Sequence, residues 1–181
     1  TGRPGSGKTT LVKRVIDELA ITPVGFYTDE IRQNGRRTGF RIRSLTPNLE
    51  RMEGILAREG EKSPHRVGRY GVNRTDLEEV GARALEEARA YRTLIVIDEI
   101  GNMEIVSPRF QRAVIACLEC SRPVLGVIKA GGGPFVSRIK SRSDVELMEL
   151  KREQFNLIQT YLLEKLNCLI DSIGSINKTI H

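Results

Sequence analysis

The first nine residues constrain this chain more than any other stretch. Gly2-Arg3-Pro4-Gly5-Ser6-Gly7-Lys8-Thr9 fits the pattern G-x-x-x-x-G-K-[ST] without a mismatch. Glycines let the backbone curl until successive N–H groups converge on one anion, and the helix that follows points its positive end at the same place. Polyphosphate suits such a cradle. Lys8 is placed to reach β- and γ-phosphates, and the Thr9 hydroxyl to take one position on a Mg2+ that bridges them. Thr10 reads as a helix residue beside the site. Loops of this kind follow a buried strand, and only Thr1 precedes Gly2. The expectation is therefore a sequence from which the first, central strand is missing.

A second signal completes the first. Leu94-Ile95-Val96-Ile97 is a continuous apolar run, as in a strand buried on both faces, and it delivers Asp98-Glu99 at its C-terminal end. Ligands bind at such strand ends. Neighbouring residues leaving a strand point in different directions. Asp98 is thus expected to face the metal beside Thr9, and Glu99 to polarise an attacking water. Lys129, after another predicted strand, is a further cation for the γ-phosphate, and Arg32, Arg69, Arg138 and Arg142 are candidates that sequence does not rank.

The rest of the chain reads as α/β. Leu11, Val12, Val15, Ile16 and Leu19 recur at helical spacing between Lys8 and Ala20. Val24 to Thr28 reads as a strand, Gln33-Asn34-Gly35-Arg36 as a hairpin turn, and Arg37 to Leu45 as the returning strand, with Arg37, Arg41 and Arg43 on one face. Gly54 to Ala57 is a short strand, Gly60 to Pro64 a loop, and Arg66 to Val72 a strand or glycine-rich loop. Thr75-Asp76-Leu77-Glu78 has the form of a capping box opening a helix to about Ala90. Ser107-Pro108 opens a helix to about Glu119, and Pro123 to Ile128 is a strand. Ala130 to Pro134 reads as a flexible loop, Val145 to Leu150 as a last strand, and Glu153 to Leu166 as a closing helix. One domain over residues 1–167 is expected, with a loosely held tail over 168–181.

Composition narrows the class. The chain has 181 residues, 39% hydrophobic and 29% charged, with no apolar run of membrane-spanning length and no secretory leader, so a cytoplasmic protein is expected. A net charge of +6 suits either nucleic acid or a pocket for an anionic nucleotide. Cys117 and Cys120 have half the spacing of a zinc site, and only Cys168, His65 and His181 could complete it, so both thiols are read as helix residues.

Taken together, the motifs resemble a known family, the small nucleoside-triphosphatases of the thermophile enzyme type. The likeness rests on residues 2–10, on Gly-Phe-Tyr-Thr-Asp-Glu-Ile-Arg at 25–32, on Gly-Arg-Arg-Thr-Gly-Phe at 35–40, on Arg-Val-Gly-Arg-Tyr-Gly-Val at 66–72 and on Val-Ile-Asp-Glu-Ile-Gly-Asn-Met-Glu at 96–104. It extends from Thr1 to about Asn167. The resemblance implies a RecA-like, mostly parallel sheet flanked by helices with an inserted β-hairpin, and Mg2+-dependent hydrolysis of several nucleoside triphosphates to diphosphate and phosphate. It implies nucleotide contacts at Gly2, Arg3, Pro4, Gly5, Ser6, Gly7, Lys8 and Thr9, and at Leu94, Ile95, Val96, Ile97, Asp98, Glu99, Ile100 and Gly101. Asn102 stands where the family usually has Lys. Lys151-Arg152-Glu153-Gln154-Phe155 replaces its usual Thr-x-Glu-Asn-Arg.

Two rivals remain at this level. A phosphate loop also serves small-molecule and nucleoside kinases, whereas a glutamate beside the metal aspartate favours water as acceptor. A nucleotide-switched nucleic-acid-binding module would show basic surface interleaved with aromatics, which are only 5% of this chain with no Trp. A monomer is the default expectation.

Overall fold

Strand β6 (Ile95–Ile100) is the apolar run of the sequence, and its alternation divides the interior in two. Ile95 and Ile97 join one core; Leu94 and Val96 face the other. A strand can bury both faces only if helices cover both sides of the sheet. Helices α3 (Arg83–Ala88) and α4 (Pro108–Leu118) contribute Leu85, Phe110 and Val114 to the first core. Helices α1 (Lys8–Glu18) and α6 (Phe155–Ser175) contribute Leu11, Val15, Leu162 and Leu166 to the second. The structure, a computed structural model, describes residues 1–19, 21–49 and 52–175.

The described residues contain one seven-stranded sheet in the order β4-β5-β3-β2-β1-β6-β7. Strands β1 (Val24–Gln33), β6 and β7 (Val124–Ile128) run parallel, with Phe26 opposite Ile97 and Asp98 opposite Val127. The other side is antiparallel. There β2 (Arg36–Ser44) returns from β1, β3 (Glu53–Glu59) pairs with β2, and the short β4 (Arg66–Val67) and β5 (Tyr70–Val72) close the edge. The α/β class expected from sequence holds, with a mixed rather than mostly parallel sheet because these hairpin strands outnumber the parallel ones. Asn34 and Gly35 at the β1–β2 turn both have positive φ, 49° and 76°, the requirement of a tight hairpin turn.

Several local expectations change. The capping box is not used. Asn73 Oδ1 accepts from the Asp76 N–H at 3.0 Å, so α2 (Arg74–Asp76) starts earlier and passes through a π-helical stretch (Leu77–Ala82) into α3. Glu78 is drawn off by Ser107 and Arg74, and Asp76 accepts from the Ile55 N–H at 2.7 Å. Part of the glycine-rich stretch read as a loop starts a helix, α5 (Pro134–Lys140), which buries Val136 and Ile139. Val145 to Leu150 does not join the sheet; its backbone instead brackets Thr1, which donates to Met148 O at 2.7 Å and accepts from the Leu150 N–H at 2.7 Å. An apolar groove of about 420 Å3, walled in part by Leu125, Val127 and Leu147, separates this segment from β7. Helix α6 continues beyond Leu166 to Ser175. Ala20 and residues 176–181, His181 among them, lie outside the described residues.

Because Ile95 is fully buried between β1 and β7, truncation there should cost stability directly. Ile95→Ala is expected to lower the unfolding free energy by about 2–5 kcal/mol and Ile95→Val by about 0.5–1.5 kcal/mol. Urea unfolding followed by circular dichroism checks both, and equal values for the two variants would contradict this account of the core.

Candidate active site

The phosphate loop enters α1 without a side-chain cap. Gly7 is the N-cap residue, with φ 95° and no capping hydrogen bond, and the first helical bond runs from the Leu11 N–H to Gly7 O at 2.8 Å. The N–H groups of Lys8, Thr9 and Thr10 therefore have no acceptor within the helix, and an anion is their natural partner. Lys8 Nζ donates to Gly2 O and Arg3 O at 3.1 and 3.2 Å, so its charge lies over the loop.

One turn of packing brings the second motif to this loop. Leu11, Val12 and Val15 seat α1 on the face of the sheet that carries Leu94 and Val96, which sets Thr9 against the end of β6. Thr9 Oγ1 donates to Asp98 Oδ1 at 3.3 Å, across 89 residues of sequence. Asp98 is fully buried. Burial pushes its carboxyl up to about 6, against the Thr9 hydroxyl and the Thr28 backbone, which lower it, and with the Glu99 charge, which raises it. Its second oxygen, Oδ2, is buried with no hydrogen-bond partner among the described residues.

Glu99 is re-aimed by the sheet itself. On β7, Val127 and Ile128 are consecutive, yet they face Asp98 and Ile100, so Glu99 is an extra residue in the ladder. Such a bulge turns a side chain out of the regular alternation. Asp98 thus faces α1 through Thr9, while Glu99 breaks the regular pairing of β6 with β7.

A third carboxyl was not anticipated. Glu104, 5% exposed, accepts from the Gly101 N–H at 3.0 Å and closes the turn after β6. A side chain at Gly101 would displace both carboxyls: a Cβ would lie 2.7 Å from Glu99 Oε1 and 2.9 Å from Glu104 Oε2. Burial first, and the Glu99 charge second, push the Glu104 carboxyl up to about 8, so it keeps its proton at neutral pH. The sequence signal for it was the Met103-Glu104 end of the shared motif at residues 96–104, which carried no role.

The expected cations separate. Lys129 Nζ donates to Asn102 Oδ1 at 2.6 Å, on the same turn as Glu104. Arg32 is held by Glu30, Arg69 by Glu59 and Arg142 by Asp144, none of them in the phosphate loop or at the end of β6. Arg138 lies in the last turn of α5. An arginine outside that set reaches the loop: Arg152 donates to Gly5 O at 3.3 Å. Among the described residues no group of three His, Cys, Asp or Glu could hold a metal. Cys117 is buried, donates to Leu85 O at 3.4 Å and has its thiol pushed up to about 12, and Cys120 lies just past α4.

An uncapped glycine-rich helix start facing a buried aspartate at a parallel strand end defines a P-loop nucleotide-binding protein. The model of the NTPase family matches residues 1–163, and the chain belongs to that family. It is 45% identical to the nucleoside-triphosphatase THEP1 of Thermotoga sp. (strain RQ2) over 166 residues, 92% of each chain. With the THEP1 of Thermofilum pendens it shares 37% over 175 residues, 94% of each. The crystal structure of THEP1 from Aquifex aeolicus superposes with a TM-score of 0.80 at 35% identity, covering 91% of this chain and 95% of that one. The solution structure of a human cancer-related nucleoside triphosphatase gives 0.74 at 34% identity, covering 94% and 95%.

The raised Glu104 carboxyl makes a pH prediction. A carboxyl with a folded-state value near 8, above its ordinary 4.5, binds its proton more tightly when folded, so stability falls as pH rises between those values. Glu104→Gln keeps the acceptor for Gly101 and removes the titration. Relative to the parent, the variant should gain stability progressively from pH 5 to pH 8 in nucleotide-free urea unfolding; a difference independent of pH would show that Glu104 is not buried as a neutral acid.

Proposed function

We propose that this protein hydrolyses nucleoside 5'-triphosphates, ATP and GTP among them, to the diphosphate and phosphate with Mg2+ as cofactor, acting as a cytoplasmic monomer. The observation that carries the reading is the approach of Thr9 to Asp98, with one oxygen of Asp98 buried and unpartnered. A buried carboxylate oxygen with no donor is a costly arrangement unless a cation completes it. Thr9 and Asp98 would hold Mg2+, a hard ion that accepts one or two protein oxygens and takes the rest from phosphate and water. When bound, Mg2+ supplies positive charge to the β- and γ-phosphate oxygens.

The remaining steps belong to the chain's own residues. Loop N–H groups bind the β-phosphate, and Lys8 leaves the carbonyls of Gly2 and Arg3 for the β- and γ-oxygens. Glu99 orients a water toward the γ-phosphorus and takes its proton as the P–O bond to the diphosphate breaks. The neutral Glu104 keeps a second negative charge away from Glu99.

Water as acceptor, rather than a second substrate or nucleic acid, agrees with the hairpin. All five of its arginines are paired: Arg32 and Arg37 with Glu30, Arg36 with Glu59, Arg41 with Glu53, and Arg43 with Asp29 and Glu53. Exposed pairs of this kind add little stability, yet they offset part of the charge that a polyanion would need. Among the described residues, no helix is long and apolar enough to cross a membrane.

Three substitutions separate the roles. Lys8→Ala should lose most nucleotide affinity and all measurable turnover; unchanged binding in calorimetry would sink that assignment. Glu99→Gln should bind Mg2+ and nucleotide normally but fall at least about 100-fold in kcat. Asp98→Asn should be partly rescued by high Mg2+. Single-turnover cleavage across a Mg2+ series distinguishes the last two, and near-parental hydrolysis by Glu99→Gln would return the phosphotransferase reading.

A further inference from the structure

The loop, Asp98 and Glu99 account for a triphosphate but not for what it is attached to. Around α1, at about 100° per residue, Lys13 follows Thr9 on nearly the same side, whereas Arg14 stands about 140° away. The contacts agree. Thr9 faces Asp98 and Lys13 pairs with Asp29, both on the sheet side, while the exposed Arg14 guanidinium lies over the ring of Phe155, 5.2 Å from its centroid. Phe155 is the half-buried first residue of α6. Its ring lies beside the phosphate loop, where a Cβ added to Gly7 would be 3.4 and 3.6 Å from two ring carbons. Arg152, three residues earlier, is tied to Gly5 O. The start of α6 therefore walls the side of the loop away from Asp98 and presents an aromatic ring and a cation there.

A triphosphate whose γ-end lies between Lys8 and Asp98 crosses the start of α1 and leaves its α-phosphate on that far side. We propose that Phe155 is the stacking platform for the nucleobase, the Arg14 guanidinium swinging off the ring face it now covers to close over the base. The inference rests on the phosphate-cradle reading of Gly2–Thr9. Stacking uses the π-face that every base has and reads none of the hydrogen-bonding edges. The platform therefore accepts all bases and holds the larger purines more tightly than pyrimidines.

The test compares ligands that differ only in having a base. Non-hydrolysable imido analogues of ATP, GTP and CTP, and inorganic tripolyphosphate, are titrated calorimetrically with Mg2+ into the parent, Phe155→Leu and Phe155→Trp. Leucine keeps apolar packing against Gly7 and the core while removing the π-face. Phe155→Leu should weaken all three nucleotides about 5- to 100-fold, purines most, and leave tripolyphosphate within twofold; Phe155→Trp should restore nucleotide binding. In turnover, KM should rise with kcat nearly unchanged. Equal loss for tripolyphosphate would make Phe155 a prop for the loop and overturn the proposal, as would undiminished nucleotide affinity. A parent protein that binds neither tripolyphosphate nor nucleotide overturns the cradle itself, and the platform with it.

Discussion

A carboxylate at the end of a strand buried on both faces sets the terms for the rest of the molecule. Asp98 has no exposure, and a lone buried charge costs far more than a domain of this size can absorb. Burial accordingly pushes its carboxyl up to about 6, and the Thr9 hydroxyl offsets that only in part. The fold brings the positive end of α1 and the loop N–H groups to the same point. Seating α1 there requires Leu11, Val12 and Val15 to pack on Val96 and Val127, and these close one of the two cores. The chemistry at Asp98 and the stability of that core are thus products of the same packing.

The antiparallel half of the sheet answers a different need. With β6 and β7 on one side of β1, the other edge of β1 would present unpaired backbone over ten residues. Strands β2, β3 and β5 cover it in turn, and the two-residue β4 leaves a short outer edge. Across neighbouring strands Arg36, Arg41 and Arg43 of β2 each lie against a glutamate of β3.

What the sequence made legible was local or doubly marked. The phosphate loop, the amphipathic face of α1, the Asn34-Gly35 turn and the Ser107-Pro108 start of α4 each carry their signal within a few residues, and the structure has them all. What was illegible depended on partners distant in sequence. Thr75 to Glu78 had the letters of a capping box, but Ser107, 29 residues on from Glu78, takes that glutamate, and Asn73 caps instead. The helix α5 was hidden by the glycines before it, since only Val136 and Ile139 mark its buried face. Val145 to Leu150 has strand composition, but a strand is defined by its ladder, and the backbone bonds of this segment run to Thr1 and Arg142 rather than to a neighbouring strand. Phe155 looked like a departure from a family pattern, and the approach of its ring to Gly7 and Arg14 places it beside the phosphate loop.

The turn after β6 shows how two carboxyls a few residues apart are given different work. Glu99 is the extra residue of a ladder bulge, whereas Glu104 folds back and accepts from the Gly101 N–H inside the protein. One donor and near-complete burial leave Glu104 neutral, and a neutral acid beside Glu99 adds no repulsion either to that carboxylate or to an incoming tetra-anion. Gly101 lets both approach from opposite sides, because a single methyl there would come within 3 Å of each. A side chain at 101 would therefore act first on where the Glu99 and Glu104 oxygens lie.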